Sequence, residues 1–149
     1  MIEVVWAILR QNGRFLLAQR SLNDIAGGTW VFPGGKIDQN DVTPISAIRR
    51  ELKEEVGLNG KRFRRLCQIY QNQYHTKIFL CDEWDGIPKP TCNDIIGVGW
   101  FTYAEMYALD QSLAPFVNEN LSYLLYLIQH YDHHPGEWHE QWERCDENG

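Results

Sequence analysis

The stretch "GGKIDQNDVTPISAIRRELKEEVGL" (residues 34–58) joins two adjacent glycines to a segment rich in carboxylates. In its second half the apolar residues recur every three or four positions and form one helical stripe, made of Ile45, Ile48, Leu52 and Val56. Thr43 suits a helix N-cap and Pro44 suits the first helical position. Gly57 suits a left-handed C-cap. The pattern therefore predicts a helix over residues 44–56.

Three carboxylates of this helix, those of Glu51, Glu54 and Glu55, share an arc away from the apolar stripe. Crowded carboxylates repel one another and raise one another's proton affinity. A hard divalent cation removes that conflict, and ligands made only of oxygen suit Mg²⁺ or Mn²⁺. Arg50 lies one turn before Glu54 and can orient it through a charge-assisted hydrogen bond. The alternative from the helix alone is a solvated acidic face.

The glycine pair favours the metal-binding alternative. Gly34 and Gly35 have no side chains, so their backbone carbonyls and amides can approach a metal or a phosphate closely. A metal-bearing helix beside such a loop is suited to polarising a phosphate and activating water.

The same stretch resembles the Nudix box, in which Gly, five residues, Glu, seven residues and Arg-Glu-apolar-x-Glu-Glu-x-Gly-apolar follow one another. Its second half is complete over residues 50–58. The loop before it is one residue longer than in the family, and Asp41 stands where the family has its first Glu. We interpret this as an insertion near residues 40–42, which leaves the role of Asp41 open.

Within the family the chain is most similar to MutT-type enzymes, which hydrolyse oxidised purine nucleoside triphosphates. The resemblance implies an α/β (α+β) fold, an α/β/α sandwich with a mixed sheet, in a single Nudix hydrolase domain over residues 1–149. It also implies hydrolysis of a nucleoside diphosphate linked to another group, by water activated at a cation. Residues 135–149 are interpreted as an acidic tail of that domain. We expect its Trp138 and Trp142 to dock onto the domain, or else onto a second copy of it; the alternative is a frayed tail.

The resemblance also implies roles for individual residues. Glu51, Glu54 and Glu55 would bind the metal, with the Gly35 carbonyl as a further ligand, while Arg50 would orient a ligand glutamate. Either one helix glutamate or Asp94 would accept the proton of the attacking water.

The substrate-binding candidates are Trp30, Phe32, Lys36 and Asn118. Trp30 and Phe32 flank the glycine loop and offer stacking faces, although aromatic residues beside strands are mostly core. Asn118 suits the reading of a purine edge, and it equally suits capping the last helix.

Three functions remain open. The first is hydrolysis of a nucleoside triphosphate, such as 8-oxo-dGTP, to the monophosphate and pyrophosphate. The second is hydrolysis of a nucleotide-sugar such as GDP-mannose or ADP-ribose, or of a dinucleoside polyphosphate. The third is a binding module without catalysis, against which the complete set of three glutamates argues.

The resemblance implies a small-molecule nucleotide substrate, and composition indicates neither a nucleic-acid partner nor a membrane. The net charge of −6 implies no general attraction to nucleic acid. The sequence contains no apolar span of about 20 residues, so it predicts no membrane helix. No signal peptide is recognisable, and the four cysteines form no CxxC pair. We therefore expect a cytoplasmic monomer or homodimer with reduced thiols. The group His130, His133, His134 and His139 could suggest a metal site, but we interpret these residues as surface histidines, which are more common near a chain end. The basic run 61–66 is interpreted as a solvated strand edge.

Hydrophobic patterning outside the central stretch predicts strands and two more helices. Strands are expected over residues 3–9, 15–20, 65–71, 74–84 and 98–101, and helices over 102–109 and 115–130. Turn signals predict hairpins at Asn12-Gly13 and at Asn72.

Overall fold

The structure, a computed structural model, describes residues 1–137 of the chain. Seven strands are formed by Ile2–Gln11 (β1), Arg14–Arg20 (β2), Trp30–Val31 (β3), Gly34–Lys36 (β4), Asn59–Gln71 (β5), Tyr74–Asp85 (β6) and Ile95–Phe101 (β7). The α-helices are Pro44–Val56 (α1), Tyr103–Leu109 (α2) and Pro115–His133 (α3), and short 3₁₀ helices cover Asp110–Ser112 and Pro135–Glu137.

The sheet is mixed, as predicted. Strand β1 runs parallel to β6 and antiparallel to β2 and β4. Strand β5 pairs antiparallel with β6 at one edge, while β3 and β7 both pair antiparallel with β2. Because other elements cover the sheet on both sides at β1, this strand is buried on both faces and its sequence is apolar on both.

Alternation along the strands divides the core into two layers. Val5, Ala7 and Leu9 of β1 pack with the apolar stripe of α1, whereas Ile8 packs on the opposite face with residues of α2 and α3. Successive side chains of a strand point to opposite faces, so one strand serves both layers. The arrangement is the predicted sandwich, with α1 on one side of the sheet and α3 on the other.

Helix α1 has the predicted bounds. The Thr43 hydroxyl accepts a hydrogen bond from the Ser46 amide at 3.0 Å, which satisfies one of the unpaired donors of the first turn. Gly57 has φ 71°, the left-handed conformation that suits a C-cap glycine. Helix α1 is thus delimited by its own capping residues.

Both predicted hairpins are present, and their turns contain Asn12 at φ 54° and Asn72 at φ 56°. Strand β5 begins six residues earlier than predicted, because pairing with β6 extends a segment whose charges hide its alternation. The basic run lies on this edge strand, where Lys61 pairs with Asp85 at 2.7 Å and Arg64 pairs with Asp82. This confirms the interpretation as a strand edge.

Three thiols lie in the described part of the chain, those of Cys67, Cys81 and Cys92, and all are free. Burial raises the pKa of Cys67 and of Cys81 to about 12, so both are inert at neutral pH. No helix within residues 1–137 is both long enough and apolar enough to span a bilayer. Trp138 and Trp142 lie outside the described residues.

Candidate active site

A cleft of about 670 Å³ opens where the glycine loop, α1 and the first turn of α3 meet. Its lining includes residues of β1, the loop after β2, the β5–β6 turn and the loop before β7. Elements distant in sequence therefore converge on the cleft, and the box supplies only one of its walls.

The glycine loop is in direct contact with the carboxylates of α1. The Gly34 amide donates to Oε1 of Glu55 at 2.9 Å. A Cβ on Gly35 would lie 2.6 Å from Oε1 of Glu51, and a Cβ on Gly34 would lie 2.0 Å from the carbonyl oxygen of Val5. Gly34 therefore needs glycine because the backbone of β1 approaches it, whereas a Cβ on Gly35 would displace the flexible end of the Glu51 side chain.

Glu55 and Glu51 both line the cleft, and both have raised pKa values. Burial raises the pKa of Glu55 to about 8, against the opposing hydrogen bond from Gly34. Burial also raises the pKa of Glu51, and the Arg50 charge opposes that shift. Two half-buried carboxylates that are difficult to ionise form a donor set that fits a hard divalent cation.

Glu54 lies elsewhere on the helix. Its side chain is 57 % exposed and does not line the cleft, and its Oε2 accepts from Nη1 of Arg50 at 3.1 Å. Glu51 and Glu55 are one turn apart and share a direction, whereas Glu54 precedes Glu55 by one residue and points about 100° away. The predicted arc is correct, but the structure brings only two of its three carboxylates into the cleft.

Arg50 connects these groups to Asp41. Its Nε and Nη2 donate to the two carboxylate oxygens of Asp41 at 3.0 and 2.9 Å, and its Nη1 donates to Glu51 at 3.0 Å. The hydrogen bond from Arg50 lowers the pKa of Asp41, whose side chain is only 5 % exposed. The longer loop therefore still delivers a carboxylate to Arg50, and the ion pair of Asp41 with Arg50 is the contact that the sequence left open.

Charged side chains on the other walls complete the cleft. Asp94 is exposed and lines the cleft, as does Lys36. Sequence reasoning missed Arg20, which also lines it. The Nη2 of Arg20 is held by Asp24 at 3.0 Å, while its Nε is buried and has no hydrogen-bond partner among the described residues. No sequence signal distinguished Arg20 from other strand-end arginines.

The aromatic residues of the cleft differ from those predicted. Trp30 does not line it and packs edge-on against Phe101, with ring centroids 4.9 Å apart. Phe32 borders the cleft but is 1 % exposed, so its ring belongs to the core. Trp6 and Phe116 are half-buried, line the cleft and pack edge-on at 4.7 Å. Sequence reasoning missed this pair because each residue sits in an apolar run typical of core.

Asn118 does not cap the last helix, and its side chain lies outside the cleft. It is exposed, it does not line the cleft, and its Nδ2 donates to the Asp110 carbonyl at 3.2 Å. The N-cap of α3 is Ala114, which has no side-chain capping bond. The next residue, Glu119, does line the cleft and hydrogen-bonds to Gln71. The helical turn of α3 therefore directs the side chain of Glu119, rather than that of Asn118, towards the cleft.

Comparison with known proteins identifies the family. The chain matches the NUDIX domain over residues 2–124. It is 34% identical over 134 residues to an 8-oxo-dGTP diphosphatase of Haemophilus influenzae, covering 84% of this chain and 91% of that protein. It is 47% identical over 60 residues to a CTP pyrophosphohydrolase of Escherichia coli, covering 40% of this chain and 44% of that protein.

Among solved structures, the solution structure of the E. coli ORF135 protein has a TM-score of 0.70 at 27% identity. The match covers 89% of this chain and 91% of that one. This chain belongs to the NUDIX family and is a hydrolase that acts on phosphoanhydride bonds.

Proposed function

We propose that the protein hydrolyses an oxidised purine nucleoside triphosphate of the 8-oxo-dGTP type to the monophosphate and pyrophosphate, with Mg²⁺ or Mn²⁺. One observation carries this proposal: a single cleft combines the carboxylates of α1, two cationic side chains and a pair of aromatic rings. The similarity over most of the chain to an 8-oxo-dGTP diphosphatase supports it.

The cation would be held by the carboxylates of Glu51 and Glu55 and by the backbone of Gly35. Glu54 would join them by turning in from the rim of the cleft, where Arg50 now holds it. A bound divalent cation would supply positive charge that stabilises the phosphoryl oxygens.

Residues of the chain perform the remaining tasks. Arg20 and Lys36 bind phosphate oxygens, and a phosphate would give the guanidinium of Arg20 an acceptor besides Asp24. Asp94 is an exposed carboxylate in the same cleft and accepts the proton of the attacking water. Arg50 keeps Glu51 oriented from the side of the helix.

The base would lie at the end of the cleft formed by Trp6 and Phe116, where a ring face of either residue offers stacking area. Glu119 and Gln71 lie at the same end. A carboxylate accepts hydrogen bonds only, so Glu119 favours a base edge that presents N–H donors, such as the imino and amino groups of a guanine-like base.

A second candidate is a cytidine triphosphate. The high identity of a 60-residue segment to a CTP pyrophosphohydrolase favours it. A cytosine amino group would also donate to Glu119.

The test is a substrate panel at saturating Mg²⁺ that contains 8-oxo-dGTP, dGTP, CTP, ADP-ribose and GDP-mannose, with the products identified for each. We expect the highest kcat/KM for 8-oxo-dGTP, with pyrophosphate as a product. A preference for CTP would instead identify a cytidine triphosphate, the second candidate, as the substrate. Turnover of the sugar nucleotides alone would contradict both triphosphate proposals.

A further inference from the structure

A second cluster of metal-binding side chains lies at the far end of α3. One ligand atom each from His130, His134 and Glu137 lies within 4.8 Å of the other two. The Nε2 of His130 is 2.5 Å from Oε2 of Glu137, and the two imidazole rings stack with centroids 4.4 Å apart. The histidines are one helical turn apart, and the 3₁₀ helix that follows α3 returns Glu137 to them.

The backbone fixes the orientation of one of these rings. The Nδ1 of His134 is 2.8 Å from the carbonyl oxygen of His130, so it carries the proton and donates to that carbonyl. The Nε2 of His134 is then the nitrogen with a free lone pair. A backbone carbonyl that holds one ring nitrogen is the usual outer support of a metal-binding histidine.

We propose that His130, His134 and Glu137 form a binding site for a divalent transition metal of the Zn²⁺ class, with solvent in the remaining position. Two imidazoles and one carboxylate suit Zn²⁺, whereas Mg²⁺ prefers oxygen ligands. Zn–N bonds of about 2.0–2.1 Å place ligand atoms roughly 3.3 Å apart. Small rotations of exposed side chains bring the three atoms to that spacing. The cation would replace the hydrogen bond between His130 and Glu137.

Neighbouring side chains are engaged elsewhere. Asp132 forms a two-point ion pair with Arg10 on β1, at 2.6 and 2.8 Å. The Nδ1 of His133 contacts the carbonyl of Gln129 at 2.8 Å, and His133 does not belong to the cluster. His133 is therefore a matched control, since it is a histidine of the same turn.

The cluster is remote from the cleft. Phe116 lines the cleft and His130 lies 14 residues further along α3, which corresponds to about 21 Å of helix. Metal binding at the cluster would join the last turn of α3 to residues 135–137. Its effect is therefore expected on stability, with the hydrolytic activity unchanged.

The experiment is a titration of the full-length protein with Co²⁺ and with Zn²⁺ in a large excess of Mg²⁺, which competes for the proposed carboxylate site. Co²⁺ reports its ligands by its visible spectrum, and thiolate ligation adds an intense near-ultraviolet band. We expect wild type and His133→Ala each to bind one equivalent of metal with the same affinity. The cobalt spectrum of each should lack the thiolate band. His134→Ala and Glu137→Gln should each bind at least about tenfold more weakly.

Folding of the variants is checked by their melting temperatures without added transition metal, and by their Mg²⁺-dependent activity. Zn²⁺ should raise the melting temperature of wild type and His133→Ala, but not that of His134→Ala. Three results would each overturn the proposal: no binding to wild type, equal losses in His133→Ala and His134→Ala, or a thiolate band in the cobalt spectrum.

Discussion

Glu55 is a half-buried carboxylate that faces the cleft and accepts one backbone hydrogen bond, from Gly34. Burial makes its ionised form costly, and a single amide does not offset that cost, so its pKa rises to about 8. A glutamate whose charge is solvated at the surface does not carry this cost of burial. This raised pKa is what we expect of a carboxylate that binds the proposed cation.

Replacing Glu55 by glutamine should therefore lower kcat by about a hundredfold, the loss typical of removing one electrostatic element of the transition state. The fold should be retained, because the amide keeps the shape of the side chain. Steady-state kinetics at saturating Mg²⁺ measure the effect. Glu54→Gln is the companion variant, and we expect a smaller loss because that side chain lies at the rim. A near-normal kcat for Glu55→Gln would remove Glu55 from the metal site.

The neighbours Asn118 and Glu119 differ in their access to the cleft. Glu119→Ala should change the ratio of kcat/KM between a purine and a pyrimidine triphosphate, because it removes an acceptor at the base end. Asn118→Ala should leave that ratio unchanged, because its amide donates to Asp110 outside the cleft. Kinetics with paired substrates test both variants. A changed ratio of kcat/KM between the two substrates in Asn118→Ala alone would support the prediction that Asn118 reads the purine edge.

At the scale of the elements, strand β4 and helix α1 are joined by direct contacts between the glycines of β4 and the carboxylates of α1. Strand β4 is three residues long, and its two glycines touch different partners: Gly34 meets the backbone of β1, and Gly35 meets the carboxylate of Glu51. A backbone atom cannot yield, whereas the end of a glutamate side chain can rotate. The two positions should therefore respond differently to the same substitution.

Gly35→Ala should lower kcat by about tenfold or more by displacing Glu51, with only a small change in the free energy of unfolding. Gly34→Ala should instead lower the free energy of unfolding, by about 1–3 kcal/mol, because its Cβ would overlap the Val5 carbonyl. Urea unfolding and steady-state kinetics separate the two effects. Gly136→Ala is the control, since no atom of residues 1–137 lies within 4 Å of its added Cβ. Equal stability losses in the two β4 variants would contradict this account.

At the scale of the whole molecule, apolar contacts hold the layers of the sandwich together, whereas the charged side chains of the cleft oppose folding. Chelation of divalent cations by excess EDTA should abolish turnover, and Mg²⁺ should restore it. The reason is that the cation proposed at Glu51 and Glu55 supplies the positive charge that stabilises the phosphoryl oxygens. Activity that persists in a metal-stripped sample would contradict the proposed mechanism.

The stability of the metal-free protein should depend on pH through Glu55. Its folded pKa of about 8 lies above the ordinary value, so the folded state holds a proton that the unfolded state has lost. The contribution to stability is present below the unfolded pKa and is lost as the pH rises through about 8. Between about pH 5 and 8 the expected slope is about −1.4 kcal/mol per pH unit. Urea unfolding in EDTA should show this slope in wild type and not in Glu55→Gln. Identical slopes would show that Glu55 ionises freely in the folded state.

What the sequence determined by itself was local. The bounds of α1 followed from Thr43, Pro44 and Gly57, because helix caps depend on residues within one turn. The spacing of charged residues in the same segment also identified the family and the positions of Glu51 and Glu55. Both hairpins followed from their turn residues, for the same reason.

Tertiary structure decided which side chains share the cleft. Trp6 and Phe116 are far apart in sequence and meet only because β1 and α3 pack together, so no local pattern pairs them. The position of β4 beneath α1 admits Glu55 to the cleft and leaves Glu54 at the rim. The helical phase of α3, fixed by its packing on the sheet, turns Glu119 inward. Composition and spacing assign residue types to elements, but the direction of each side chain depends on contacts between elements.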